Sequence, residues 1–194
     1  QYSNYNGLAQ GAKIAFFDIG FSSSSHDHAS GTVVLPPLGD ILDAGRRAEA
    51  YVHSNSWGRS HAASSAGGGF YDYLSLELDT WLELNPEHLV VFAAGNDGQR
   101  GENSLMSPAN AKNVVSVGAT TLRHVTSDMP LPWNEIFVSH FSSRGSDFGR
   151  GGRISPTVVA TGDFIESAFS SSPSQQLHVQ QGKGGVVKTN TTEK

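Results

Sequence analysis

The chain has 194 residues with a net charge of -5, 37% hydrophobic residues, 22 glycines and no cysteine. That length holds one domain with a real core, and the acidic balance without a long basic run argues against a nucleic-acid groove. Disulfides, a thiol nucleophile and a cysteine zinc site are excluded, and no apolar stretch approaches the roughly 20 residues that span a bilayer.

Gln1 opens a polar, glycine-containing loop with no signal peptide, and the sequence reads as cut from something longer. Lys13–Ile19 (KIAFFDI) predicts a strand, and Gly20–Ser30 a serine-rich loop. Val33–Pro37 reads as briefly extended. Over Gly39–Tyr51, Ile41, Leu42, Ala44 and Ala48 fall near helical spacing. Val52–Trp57 predicts a strand ending at Ser56-Trp57-Gly58, and Arg59–Gly69 a loop. Tyr71–Leu84 places Leu74, Leu78, Trp81 and Leu82 on one face of an amphipathic helix, which Asn85-Pro86 ends. Leu89, Val90, Val91 and Phe92 read as a strand buried on both faces. Further strands are expected over Asn113–Gly118 and Thr157–Ala160, with a proline-containing loop over Thr126–Trp133 and a short segment over Phe137–Phe141. Strand, helix, strand, helix, strand is the pattern of right-handed βαβ units and a mostly parallel sheet. Residues 173–194 lose periodicity and read as a disordered or unrelated tail holding the sequon Asn190-Thr191-Thr192.

Asn96 follows the small residues Ala93, Ala94 and Gly95 that close the most apolar strand. Functional groups in α/β sheets sit at the carboxyl ends of strands. The Asn96 amide suits an oxyanion donor, and Gly-Asn-Asp-Gly is equally ordinary turn chemistry. His26 and His28 flank Asp27 in the serine-rich loop, where a solvated loop is a better reading than a metal site with no third ligand. Gly95, Gly98 and Gly101 do not match the spacing of a nucleotide loop.

Six blocks together resemble the subtilases, the subtilisin-like serine proteases: GLAQGAKIAFFDIG (7–20), HSNSWG (53–58), VVFAAGNDG (90–98), SPANAKNVVSVGAT (107–120), FSSRG (141–145) and RISPTVVATG (153–162). The resemblance covers residues 7–172 and implies a three-layer αβα domain with a mostly parallel sheet, incomplete at both ends. It implies that Asn96 is the oxyanion donor. It implies that Ser56, Trp57 and Gly58 form the edge that pairs with substrate. Ala93, Ala94 and Gly95 would wall the pocket for the side chain before the scissile bond. Ser107-Pro108 would be a cis peptide beside that pocket. A peptide or protein substrate and a secreted or vesicular setting also follow from the resemblance; no cofactor and no metal site are expected, although some relatives bind structural calcium on backbone carbonyls near Ala109–Val114.

The family's chemistry needs Ser, His and Asp. The Gly-Thr-Ser-Met block that carries the nucleophile does not occur in this sequence, and neither does His-Gly-Thr-His. Asp18-Ile19-Gly20 imitates the family's Asp block, but Gly7–Gly20 matches the strand after the catalytic histidine. Only 34 residues lie between Gly20 and Asn55, too few for a histidine helix and its strand. The chain is therefore expected to retain the oxyanion Asn96 and part of the cleft without the triad. A triad-less module that binds peptides or a protein partner is the alternative.

Overall fold

The structure is a computed structural model that describes residues 8–17, 35–59, 70–122, 136–145, 153–163 and 165. Its elements run α1 (Leu38–Arg47), β1 (Val52–Asn55), α2 (Tyr73–Leu84), β2 (Leu89–Ala93), a 3-10 turn (Gly98–Arg100), β3 (Val115–Leu122), β4 (Ile136–Val138) and β5 (Val158–Thr161). The sheet is mixed and mostly parallel. β1 runs parallel to β2 and β2 to β3, in registers that include Ser54 opposite Val91 and Phe92 opposite Ser116. β5 is parallel to β3 along its other edge, and β4 closes antiparallel on Thr120–Leu122.

α2 begins where its cap dictates. The Asp72 carboxylate accepts from the Leu74 and Ser75 amides, so the helix starts at Tyr73 instead of Tyr71. Its buried residues Leu74, Leu78 and Leu82 repeat every four positions and form one stripe. α1 opens at Pro37 without a side-chain cap, and Glu77 of α2 accepts its free Gly39 amide at 3.1 Å. Asp40 in its first turn and Arg46 and Arg47 in its last complement the helix dipole. The helix ends at Arg47, four residues before the expected limit at Tyr51. Glu49 takes φ 57°, its amide donates to Arg46, and the Ala50 amide reaches back to Gly45. Glutamate thus occupies the left-handed position where glycine is usual, so the sequence carries no stop signal there.

Leu38, Leu42, Leu78 and Leu82 pack with Val90, Phe92 and Ala94 in one core cluster. Both helices therefore lie on the Val90 and Phe92 face of β2. Alternation is the result: Val90 and Phe92 are fully buried while Leu89 is 44% exposed. The expected burial of this strand on both faces is corrected, because the described helices cover one face only.

The expected strand over Lys13–Ile19 is also corrected for its described part. Lys13–Phe17 pairs with no strand among the described residues, and Ile14 and Phe16 stand out from the surface. A strand exists only through its ladder partners. The segment instead lines one side of a cleft of about 640 Å³ whose other walls are α1 and β1. Asp18, the pair His26 and His28, the loop at Thr126–Trp133 and the tail at 173–194 lie outside the described residues.

One titratable pair sits at the edge of this core. His53 Nε2 lies 3.4 Å from His88 Nδ1, with Trp81 of α2 edge-on to both rings and Tyr51 stacked on His88. α1 crosses at Gly45, where a Cβ would meet His53 at 2.3 Å. Burial, and secondarily the neighbouring His88, lower the His53 pKa below its ordinary 6.5. The folded state thus holds His53 neutral. Its contribution to stability is complete above about pH 6.5 and is lost as pH falls through the lower folded value. Urea midpoints measured between about pH 7 and about pH 5 should fall with acidification. The fall should be smaller in His53→Gln.

Candidate functional site

Three segments meet beyond the carboxyl ends of β1 and β2. The first is Ser56-Trp57-Gly58, which leaves β1. Asn55 donates through Nδ2 to the Val91 carbonyl and accepts from Trp57 Nε1, and Trp57 stands edge-on to Phe92 at 5.1 Å. The indole is thereby tied to the core on one side and borders the cleft on the other. The second is Ala93-Ala94-Gly95-Asn96, the exit of β2. Ala94 is buried and hydrogen-bonds both to Val117 of β3 and to Met106. Gly95 takes φ 112°, a conformation that excludes most side chains. Its carbonyl accepts from the Ser143 amide, and Ser143 Oγ accepts from the Asp97 amide. The turn bearing Asn96 is thus held from both sides, while Asn96 itself is exposed and its side chain has no hydrogen-bond partner among the described residues. A fixed backbone with a free amide is what a preorganised donor requires.

The third segment holds the Ser107-Pro108 peptide, which is cis. Arg59 bridges to it antiparallel, its amide donating to the Ser107 carbonyl at 2.8 Å. Ser107 Oγ donates to Asp72, whose other oxygen pairs with Arg59 at 3.2 Å. Ser75 Oγ donates to Asn110, and Asn110 donates to the Phe70 carbonyl. The residue that caps α2 therefore also joins the first and third segments.

Every sequence-predicted site residue falls in these three segments. Met106 is what sequence reasoning missed. A Cβ at Gly95 would meet its sulfur at 2.3 Å, and one at Gly58 would meet its methyl at 3.2 Å. The thioether fills the space between the two glycine-lined walls. Ser143 likewise carries no signal of its own in the sequence, although FSSRG stands out as a block. Among the described residues no group of three or more His, Asp or Glu side chains is placed to hold a metal ion.

Polar groups on loops at the ends of parallel strands, backed by helices, define an α/β domain with a strand-end site. The subtilase family profile matches residues 2–192, and the chain belongs to that family of serine peptidases. It is 26% identical, over an alignment 252 positions long, to the serine protease/ABC transporter B family protein tagD of Dictyostelium discoideum, covering 97% of this chain and 13% of that protein. To tagB of the same organism it is 37% identical over 123 residues, 63% of this chain and 6% of that protein. The chain thus spans a small part of the curated relatives it matches. Among solved structures, Sphericase superposes with a TM-score of 0.45 at 21% identity, over 69% of this chain and 41% of that one. The prenylagaramide maturation protease PagA gives 0.44 at 21% identity, over 69% and 40%. No described helix is long and apolar enough to cross a membrane.

Proposed function

We propose that this chain forms the substrate-holding part of a subtilisin-like serine endopeptidase domain. Asn96 is the oxyanion donor, Ser56–Gly58 the edge that pairs with a peptide, and Ala93–Gly95 with Ser107-Pro108 the side-chain pocket. The observation that carries this reading is the convergence of the three segments on an exposed Asn96 with an uncommitted amide. An extended peptide laid along Ser56–Gly58 gains main-chain hydrogen bonds, and small residues let its backbone approach. In a domain that also carries the triad, the Asn96 amide stabilises the tetrahedral oxygen. Loss of such a donor in subtilisin lowers turnover about 10²–10³-fold.

The sequence lacks the nucleophile and histidine blocks, which favours binding over turnover for the chain as it stands. Trp57 lies within the proposed pairing edge, so its emission reports a peptide bound there. Extended peptides should change its fluorescence saturably without being cleaved. Gly58→Val should abolish the change, because a Cβ there already meets the Ser107 carbonyl at 2.9 Å. Peptide cleavage, or a signal that survives Gly58→Val, would contradict this assignment.

A further inference from the structure

The loop that follows Ser107-Pro108 presents the backbone carbonyls at which the family resemblance places structural calcium. In this chain two of those carbonyls, on Asn110 and Ala111, already have a cation. The Arg153 guanidinium reaches across from the segment before β5. Its Nη2 donates to the Asn110 carbonyl at 2.5 Å and to the Ala111 carbonyl at 3.3 Å, and Nη1 donates to Ala111 at 3.4 Å. Asn110 and Ala111 are buried at 7% and 3% exposure. Calcium needs six to eight oxygen ligands at about 2.3–2.6 Å. Carbonyl oxygens already covered by a guanidinium cannot supply them, and the fixed positive charge repels a second cation. The residues present therefore do not fit a calcium ion at these carbonyls.

We infer that Arg153 takes the place of a metal ion at the 109–114 loop, making this part of the fold independent of calcium. Guanidinium suits the task because it stays protonated and presents several donors in one plane. Its position is prepared by the adjoining backbone. Thr157 and Ser116 exchange hydrogen bonds, Ser116 amide to Thr157 Oγ1 at 3.2 Å and Thr157 amide to Ser116 Oγ at 2.9 Å, fixing the Arg153-bearing segment against β3. On the opposite side of the loop Asp79 accepts from the Lys112 and Asn113 amides. The loop is thus held by an anion at its amides and a cation at its carbonyls, both from the chain itself. This inference does not depend on whether the domain cleaves or binds peptides.

Amide hydrogen exchange of residues 109–116 in the full chain tests it, with millimolar calcium or with a chelator. Exchange in the native sequence should be the same in both. Arg153→Met should exchange about tenfold faster in chelator, the scale of a lost charge-assisted hydrogen bond, and calcium should slow it again. Arg153→Lys keeps a cation at the loop and should stay insensitive to calcium. The inference is overturned if calcium slows exchange in the native sequence or in Arg153→Lys as much as in Arg153→Met. It is equally overturned if Arg153→Met gains no calcium response. Should Arg153→Met fail to fold, the native and lysine chains still decide, since a calcium response at these residues in either contradicts it.

Discussion

Asp79→Ala is expected to destabilise the fold by about 3–5 kcal/mol, among the largest single effects in the molecule. Asp79 lies on the buried stripe of α2 at 8% exposure. Its carboxylate accepts from the Lys112 and Asn113 amides at 2.8–2.9 Å and from the Tyr71 hydroxyl at 2.8 Å. Removing it leaves two backbone donors without their acceptor, while the hydroxyl of Tyr71, a residue 42% exposed, can turn to water; each unsatisfied buried donor costs about 1–3 kcal/mol. Partial burial and the Asp79 carboxylate also push the Tyr71 pKa up to about 12. Asp79→Asn keeps the shape and one accepting oxygen and should lose distinctly less. Urea midpoints for both variants equal to that of the native sequence would show that the carboxylate is not what holds the loop.

Phe92→Ala should cost about 3–5 kcal/mol and should also disturb the site. Phe92 is fully buried at the centre of the core cluster, two residues before Ala94, and its ring meets Trp57 edge to face. Truncation leaves a cavity beneath the indole that borders the cleft. The melting temperature and the Trp57 emission should therefore change together, with Phe92→Leu intermediate in both. An altered melt with unchanged Trp57 emission would mean that the core does not position that wall.

The parts of this fold legible in the sequence are those set by local rules. α2 shows its Leu74, Leu78 and Leu82 stripe and its Asn85-Pro86 stop, and β2 and β5 show as short apolar runs. The candidate site residues are visible as blocks, and the structure brings their segments together. What stays hidden depends on partners distant in the chain. The Lys13–Phe17 run has strand composition but pairs with no described strand. β2 reads as doubly buried, yet both described helices pack on one of its faces. α1 stops at a left-handed Glu49 that no glycine announces. Met106 matters only because Gly58 and Gly95, far apart in sequence, are folded to either side of it. Arg153 gains its role from carbonyls, which side-chain identity does not reveal.

The most direct test of a cleft without a nucleophile is exposure of the intact chain to a fluorophosphonate, which phosphonylates an activated serine and releases fluoride. A histidine base and an oxyanion donor make one serine reactive; unactivated serines do not react at that rate. Intact mass should remain unchanged after prolonged incubation, as in a heat-denatured control. A stoichiometric adduct on a single serine, lost on denaturation and weakened by Asn96→Ala, would contradict the proposal and reveal a complete catalytic centre in this chain.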